Sequence, residues 1–371
     1  MVAEHQIEPA AVFTDWRELA DRPRLADAAV ICTQDAMHVE PTIALAAKGY
    51  HILLEKPMAP TEGECVRIVE AVRKAGVLFA VCHVLRYTDY TSKLKALLKD
   101  GLIGDVVNIQ HLEPVGYWHQ AHSFVRGNWR CEAESSAMLL AKSCHDIDWL
   151  RHLVGQPCRR VSSFGSLVHF RRANQPVGAA DRCLDCGVEA ACPYSATRFY
   201  GERLVRQNKG WPLDVVTPEM TAESLHAALA TGPYGRCVYA CDNDVVDNQV
   251  VNLEYANGVT ASFTMSAFTP MTGRMTRIGG TRGYIDADSS VIRLFDFVTG
   301  AWETIDTNAG DAGILGGHGG GDGGLMDAFV SAVATGDRTA ILSGPDETLE
   351  SHLTVFAAEQ ARRKGRVMAI G

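Results

Sequence analysis

Residues 51–60, HILLEKPMAP, carry a short apolar run straight into an acid, a base and a proline. Ile52, Leu53 and Leu54 follow one another without a polar break, the pattern of a strand buried on both faces inside a parallel sheet. Pro57 has no N–H to give to a sheet ladder, so the strand must stop before it. Glu55 and Lys56 therefore fall at the carboxyl end of a buried strand, where open α/β sheets bind their ligands. A surface ion pair closing the strand is the plainer reading of the same two residues.

The segments on either side alternate strand and helix signals. DAAVICT (27–33) and VLFAVCHVL (77–85) are further apolar runs, and HVEPTIALAAKGY (38–50) and GECVRIVEAVRKAG (63–76) have helical spacing closed by glycine. A helix is also expected over 90–104. Strand, helix, strand, helix, strand with short links predicts βαβ units and a parallel sheet.

Beyond about residue 105 the pattern changes. VVNIQHLEPV (106–115) and RRVSSFGSLVHF (159–170) read as strands separated by a long helical stretch over 137–155. Two alternating runs joined by Asn257-Gly258 predict a hairpin. More alternating strands follow in 283–297 and 301–307, and helices in 325–336 and 346–365. The expected organisation is a first α/β domain over 1–104 and an α+β domain with a largely antiparallel sheet over 105–345. A Cys-rich insertion at 178–245 lies inside the second, and a final helix occupies 346–371.

At 371 residues, 47% apolar and 21% charged, the chain has room for about two cores. A net charge of −9 without a basic run argues against nucleic acid as a partner. No stretch approaches roughly 18 uninterrupted apolar residues, so no membrane span is expected. The opening MVAEHQIEPAAVF lacks the basic and apolar regions of a secretory signal, which makes the cytoplasm the expected location.

The stretch VICTQDAMH…AAKGYHILLEKP, followed by an antiparallel second domain, resembles the Gfo/Idh/MocA family of nicotinamide-dependent oxidoreductases over nearly the whole chain. The most specific element is the Glu-Lys-Pro tripeptide after a strand, beyond a Thr-x-x-x-x-His stretch, here Thr33 to His38. The resemblance implies a Rossmann-type first domain, NAD or NADP as cofactor and a sugar, sugar derivative or cyclitol as substrate. It also implies a homo-dimer or homo-tetramer paired through the open face of the second sheet. It places Lys56 beside the nicotinamide and the substrate, with Thr33, Gln34, His38 and Glu55 on the cofactor. On the later helix it makes His145 the acid/base, while the position that usually carries an aspartate is Ala141. The family's glycine-rich phosphate loop has no counterpart, for no G-x-G-x-x-G precedes residue 100. The first βαβ step is therefore expected to be missing, through a truncated start or a protein without this part.

Hydride transfer needs a positioned carbinol carbon and a group to take the hydroxyl proton. A lysine at the carboxyl edge of the sheet also stabilises a developing alkoxide. If 137–155 is one helix, Ala141, Lys142, His145 and Asp148 share a broad face. Asp148 then fixes the tautomer of His145 or touches substrate, and Lys142 stands in for the missing aspartate; an amphipathic surface helix is the competing reading. Arg86 after the third apolar run points to the same cofactor crevice or makes a salt bridge. In GNWR (127–130), Trp129 and Arg130 are substrate candidates, as is His318 in the glycine-rich loop 313–324, otherwise a lid or connector.

Eleven cysteines are many for a reducing compartment, and five of them (Cys183, Cys186, Cys192, Cys237 and Cys241) fall between residues 183 and 241. C-x2-C followed by further cysteines suits a structural zinc held by Cys183, Cys186, Cys192 and Cys237. An iron–sulfur cluster also fits thiolates and a Cys-Pro step, although the spacing matches no standard ferredoxin run. Unligated or redox-active thiols are the third reading. Three functions stand at this point: an oxidoreductase on a carbohydrate-like small molecule, a nicotinamide-dependent glycoside-cleaving enzyme of the same fold, and a non-catalytic binding protein.

Overall fold

The apolar runs at 27–33, 51–54 and 77–85 become three parallel strands, β1 (Ala28–Ile31), β2 (His51–Leu54) and β3 (Phe79–Val81), in the order β1-β2-β3. The structure, a computed structural model, describes residues 7–307 and 317–370. Two units make up the chain. The first takes Met1–Ala96, Ile147–Pro157 and Thr307–Phe356, and the second takes Leu97–Asp146, Cys158–Asp306 and Ala357–Gly371. A single boundary at residue 104 does not describe this arrangement, because the chain returns twice to the first unit. The final helix, Pro345–Lys364, is divided between the units and is not a separate element.

In the first unit the sheet is buried on both faces, as its apolar runs require. Ile52 and Leu54 pack with Ile68, Val69, Val72, Phe79 and Val81. Leu53, of opposite parity, packs with Ala80, Cys82, Leu325 and Phe329. Each of the larger apolar side chains among these contributes about 1.5–3 kcal/mol by leaving water. The crossover helix Glu62–Ala75 starts where the Thr61 hydroxyl accepts from the Glu64 N–H, and it ends at Gly76, whose φ of +69° only glycine adopts freely.

The second unit is built on a nine-stranded sheet. Its strands are β4 (Val106–Pro114), β5 (Cys158–Ser166), β6 (Asn248–Tyr255), β7 (Thr260–Ser266), β8 (Met275–Gly280), β9 (Gly283–Ala287), β10 (Val291–Asp296), β11 (Trp302–Asp306) and β12 (Met368–Ala369). They run in the order β11-β10-β9-β8-β4-β7-β6-β5-β12, with β4 and β7 parallel and the remaining neighbours antiparallel. Alternation buries Ile109, Val251, Leu253, Phe263, Met265 and Ile278 and leaves Asn108, Gln110 and Asn252 exposed. The Asn257-Gly258 hairpin forms as expected, with Gly258 at φ +85°. Among the described residues no helix is long and apolar enough to cross a membrane.

The helical stretch 137–155 is broken. Met138–Ala141 ends at Lys142, and a new helix, Cys144–Val154, starts from Ser143, whose carbonyl accepts from the Asp146 N–H. Ala141 and Lys142 therefore do not lie on one continuous helical face with His145 and Asp148. The Cys-rich insertion carries two ten-residue helices that its composition hides, Ala196–Val205 capped by Ser195 and Ala222–Thr231 capped by Thr221.

Candidate active site

Lys56 is half-buried two residues beyond the end of β2. The Glu55 N–H donates to Ile31 O at 2.9 Å, continuing the ladder one step past the strand, and its carboxylate accepts from the Lys56 N–H at 3.2 Å. The Lys56–Pro57 peptide bond is cis. Two buried histidines brace the turn that follows. His38 sets one ring nitrogen 2.9 Å from Pro57 O and the other 2.9 Å from Thr33 O, tying the loop after β2 to the loop after β1. His352 accepts from the Met58 N–H at 2.9 Å and donates to Thr348 O at 2.9 Å. Burial lowers the His352 pKa and so favours the neutral ring that this pairing needs.

Thr33 and Gln34 are exposed in the loop after β1, at the same carboxyl edge of the sheet as Glu55 and Lys56. Beside them the Cys82 thiol is pushed far up by burial first and by Glu55 second, so it stays protonated. A small polar edge of this kind suits the ribose and nicotinamide of a dinucleotide. His38 serves this edge by bracing it.

Three candidates, Arg86, Asp148 and Arg130, are placed differently from expectation. Arg86, 1% exposed, forks onto Asp148 with two bonds of 2.7 Å, reaches Glu347 at 2.6 Å and donates to Leu342 O. Its donors are spent inside the first unit, so it is a structural ion pair and no cofactor ligand. Asp148, fully buried, accepts from Arg86 and from the Ser351 hydroxyl at 2.9 Å, which removes it from substrate binding. Burial works to raise its pKa, but the Arg86 guanidinium outweighs that and holds it at about 2. Arg130 pairs with Asp242 at 3.0 Å and with Glu134 at 3.0 Å and is not a free substrate ligand. His318 is exposed at φ +50° with its ring 3.0 Å from the Asp322 carboxylate. Of the glycine-rich loop expected at 313–324, residues 313–316 lie outside the described residues. Trp129 is partly exposed and tilts against Phe124.

In the second unit His145 is buried at the second residue of the helix Cys144–Val154. Lys142 donates to Glu113 at 3.2 Å, and the other Glu113 oxygen lies 2.9 Å from Arg274. Arg274 also pairs with Asp146, which is 3.1 Å from His111 Nε2; His111 Nδ1 meets the Thr276 hydroxyl at 2.8 Å. The Asp146 carboxyl is pressed upward by burial and pulled well below the carboxylate range by Arg274 and His111. These alternating charges form one largely buried chain of ion pairs ending at Lys142. His111, Glu113, Asp146 and Arg274 escape the motif reading. The signal for two of them is strand parity, since His111 and Glu113 share the buried face of β4 with Ile109.

Cys183, Cys186, Cys192 and Cys237 line one cavity in the second unit. Cys241 does not line it, and its thiol donates to Cys237 O at 3.3 Å.

Residues 2–83 match the family model described as the oxidoreductase family NAD-binding Rossmann fold, and residues 95–370 match that of its C-terminal alpha/beta domain. The oxidoreductase YteT of Bacillus subtilis is 25% identical over 266 residues, 71% of this chain and 60% of that protein. The 2,7-anhydro-N-acetylneuraminate hydratase of Escherichia coli is 29% identical over 147 residues, 39% of this chain and 38% of its own. The NADP-dependent scyllo-inositol 2-dehydrogenase IolW of Bacillus subtilis is 29% identical over 149 residues, 40% of each chain. The chain thus spans 60% or less of the length of these curated relatives. Among solved structures, levoglucosan dehydrogenase in complex with NADH and levoglucosan superposes with a TM-score of 0.67 at 18% identity, covering 97% of this chain and 83% of that one. An oxidoreductase domain protein from Kribbella flavida gives a TM-score of 0.68 at 17% identity, covering 96% and 84%. At these identities the two structures speak for the fold alone. The two family models cover both halves of the molecule, and the chain belongs to the Gfo/Idh/MocA family of oxidoreductases.

Proposed function

We propose that this protein transfers a hydride between NAD or NADP and a hydroxyl or keto carbon of a sugar, sugar derivative or cyclitol. The observation that carries the reading is Lys56 in Glu-Lys-Pro, at the carboxyl edge of a doubly buried parallel strand and braced by His38 and His352. In the oxidative direction the carbinol hydrogen leaves as hydride to the nicotinamide, and the hydroxyl proton passes to a protein base. Lys56 is the proposed base, and His145 the second acid/base group. Lys142, held by Glu113, is proposed to contribute positive charge near the substrate hydroxyls. Thr33, Gln34 and Glu55 are the proposed cofactor contacts, with Trp129 and His318 the remaining substrate candidates. The substrate class is supported by the names of relatives, among them a scyllo-inositol 2-dehydrogenase and a levoglucosan dehydrogenase. Work in the cytoplasm as a homo-dimer or homo-tetramer belongs to the same reading.

A second reading, a redox-neutral reaction such as glycoside cleavage, is favoured by alanine at position 141 and by relatives named as hydratases. One assay separates the readings. The protein is given NAD or NADP with a panel of inositols, anhydrosugars and glycosides while nicotinamide absorbance and product are both followed. Net reduction of the nicotinamide supports the dehydrogenase, with kcat falling about 10²–10⁴-fold in Lys56→Met. Product without net reduction selects the second reading. No binding of either dinucleotide by calorimetry overturns both.

A further inference from the structure

The proposed hydride transfer uses no residue of the Cys-rich insertion, yet the insertion's sulfurs converge from three separate stretches of chain. An isolated bridge between Arg182 and Arg236 and a bond from the Cys237 N–H to Asp181 O (2.8 Å) bring Cys237 alongside Cys183. The C-x2-C turn adds Cys186, and the short turn before Pro193 adds Cys192. All four line one cavity of about 20 Å³, walled also by Arg126, Val188, Val238 and Glu189, whose carboxylate accepts from the Ser195 and Thr197 hydroxyls.

Donors already face the sulfurs. The Gln175 amide lies 3.8 Å from Cys237 Sγ, while burial pushes the metal-free Cys192 and Cys237 thiols up. Arg126 is 3% exposed, donates to Arg236 O (2.7 Å) and Tyr194 O (2.8 Å), and places Nη2 3.6 Å from Cys183 Sγ. It has no carboxylate partner among the described residues. A buried guanidinium without a directly paired carboxylate is expensive, and four thiols do not supply that charge, whereas metal-bound thiolates do.

The spacing decides between metals. Zinc with Zn–S bonds of about 2.3 Å draws its thiolates to about 3.8 Å from one another. Among the described residues, the one set of three or more His, Cys, Asp or Glu side chains with ligand atoms all within 4.8 Å of one another is Cys131, Glu134 and Asp242. The four sulfurs thus stand wider than a closed zinc site, around a space that admits a water-sized sphere. An iron–sulfur cluster binds each thiolate to an iron of a polynuclear core, which calls for this wider cage. We propose that Cys183, Cys186, Cys192 and Cys237 hold an iron–sulfur cluster, with Arg126 as its buried counter-charge and Cys241 outside the ligand set. This replaces the zinc expected from cysteine spacing, and it stands independently of the hydride-transfer reading.

The test uses the full chain, expressed with added iron and purified without oxygen. Iron, acid-labile sulfide and zinc are quantified, and electron paramagnetic resonance spectra are taken before and after dithionite. Iron and sulfide in equal amounts, with broad visible absorption, support the proposal. So does loss of both in Cys192→Ser with retention in Cys241→Ser. Arg126→Met is expected to lower cluster retention about tenfold. Because Cys192→Ser can fail to fold, the wild-type metal content is decisive by itself. Zinc without sulfide overturns the cluster, and a chain free of metal after incubation with ferrous iron and sulfide overturns the site.

Discussion

Replacing Asp148 with alanine removes both 2.7 Å bonds to Arg86 and the 2.9 Å bond from Ser351. The titration of Asp148 supplies a lower bound on the cost. Its carboxyl sits at about 2 against the ordinary 3.8, worth about 2 kcal/mol to the folded state. That contribution is present above about pH 4 and is lost as the pH falls through the folded pKa. Deletion costs more, because Arg86 at 1% exposure is left with Leu342 O and a half-exposed Glu347. Breaking a buried pair from one side costs about 3–5 kcal/mol, so about 4 kcal/mol is expected for Asp148→Ala. Arg86→Met/Asp148→Leu, which removes both charges together, should recover most of that loss. Urea unfolding of the full chain reads both numbers, and calorimetric titration with NAD(H) reads the function. The double variant should bind the dinucleotide as the parent does. A loss under about 1 kcal/mol in the single variant refutes the reasoning, that being the range of an exposed pair. A folded double variant that no longer binds dinucleotide would return Arg86 to the cofactor site.

His83, His122 and His152 are pushed by burial to about 3, about 4 and about 3, so the folded chain keeps them neutral where the unfolded chain protonates them. Stability should therefore fall as the pH drops below about 6.5, by up to about 2 kcal/mol per histidine near pH 5; a urea midpoint that stays flat from about pH 7 to 5 sinks this. His38→Ala removes the ring's N–H from between Thr33 O and Pro57 O and opens a cavity, costing about 3 kcal/mol and weakening NAD(H) binding. Unchanged melting and unchanged binding would remove His38 from its bracing role.

Local pattern made the first unit legible. Three apolar runs with glycine-closed helices between them fix a parallel sheet, and parity along β2 places Leu53 opposite Ile52 and Leu54. The hairpin at Asn257-Gly258 was equally plain. What local pattern does not hold is partnership across distance. Nothing near Arg86 announces Asp148, and nothing near His111 announces Asp146 or Thr276. The break after Ala141 is also invisible, because Met-Leu-Leu-Ala-Lys is a good helical sequence and the kink arises where the new turn starts at Ser143. Lys56 was legible because a proline after an apolar run marks a strand end. The cysteine set was legible as a set, but its width is a property of three dimensions that spacing does not encode.

The position of β4 has a consequence for how this protein is made. It is flanked by β7 and β8, both of which emerge from the ribosome only after residues 115–259 have been synthesised. Until then the strand has two bare edges, and His111 and Glu113 on its inner face await Thr276 and Arg274. Pairing that closes so long a loop is slow and leaves strand edges open to other chains. The second unit therefore completes its centre late in translation, and low temperature or chaperone supply during expression acts on that interval.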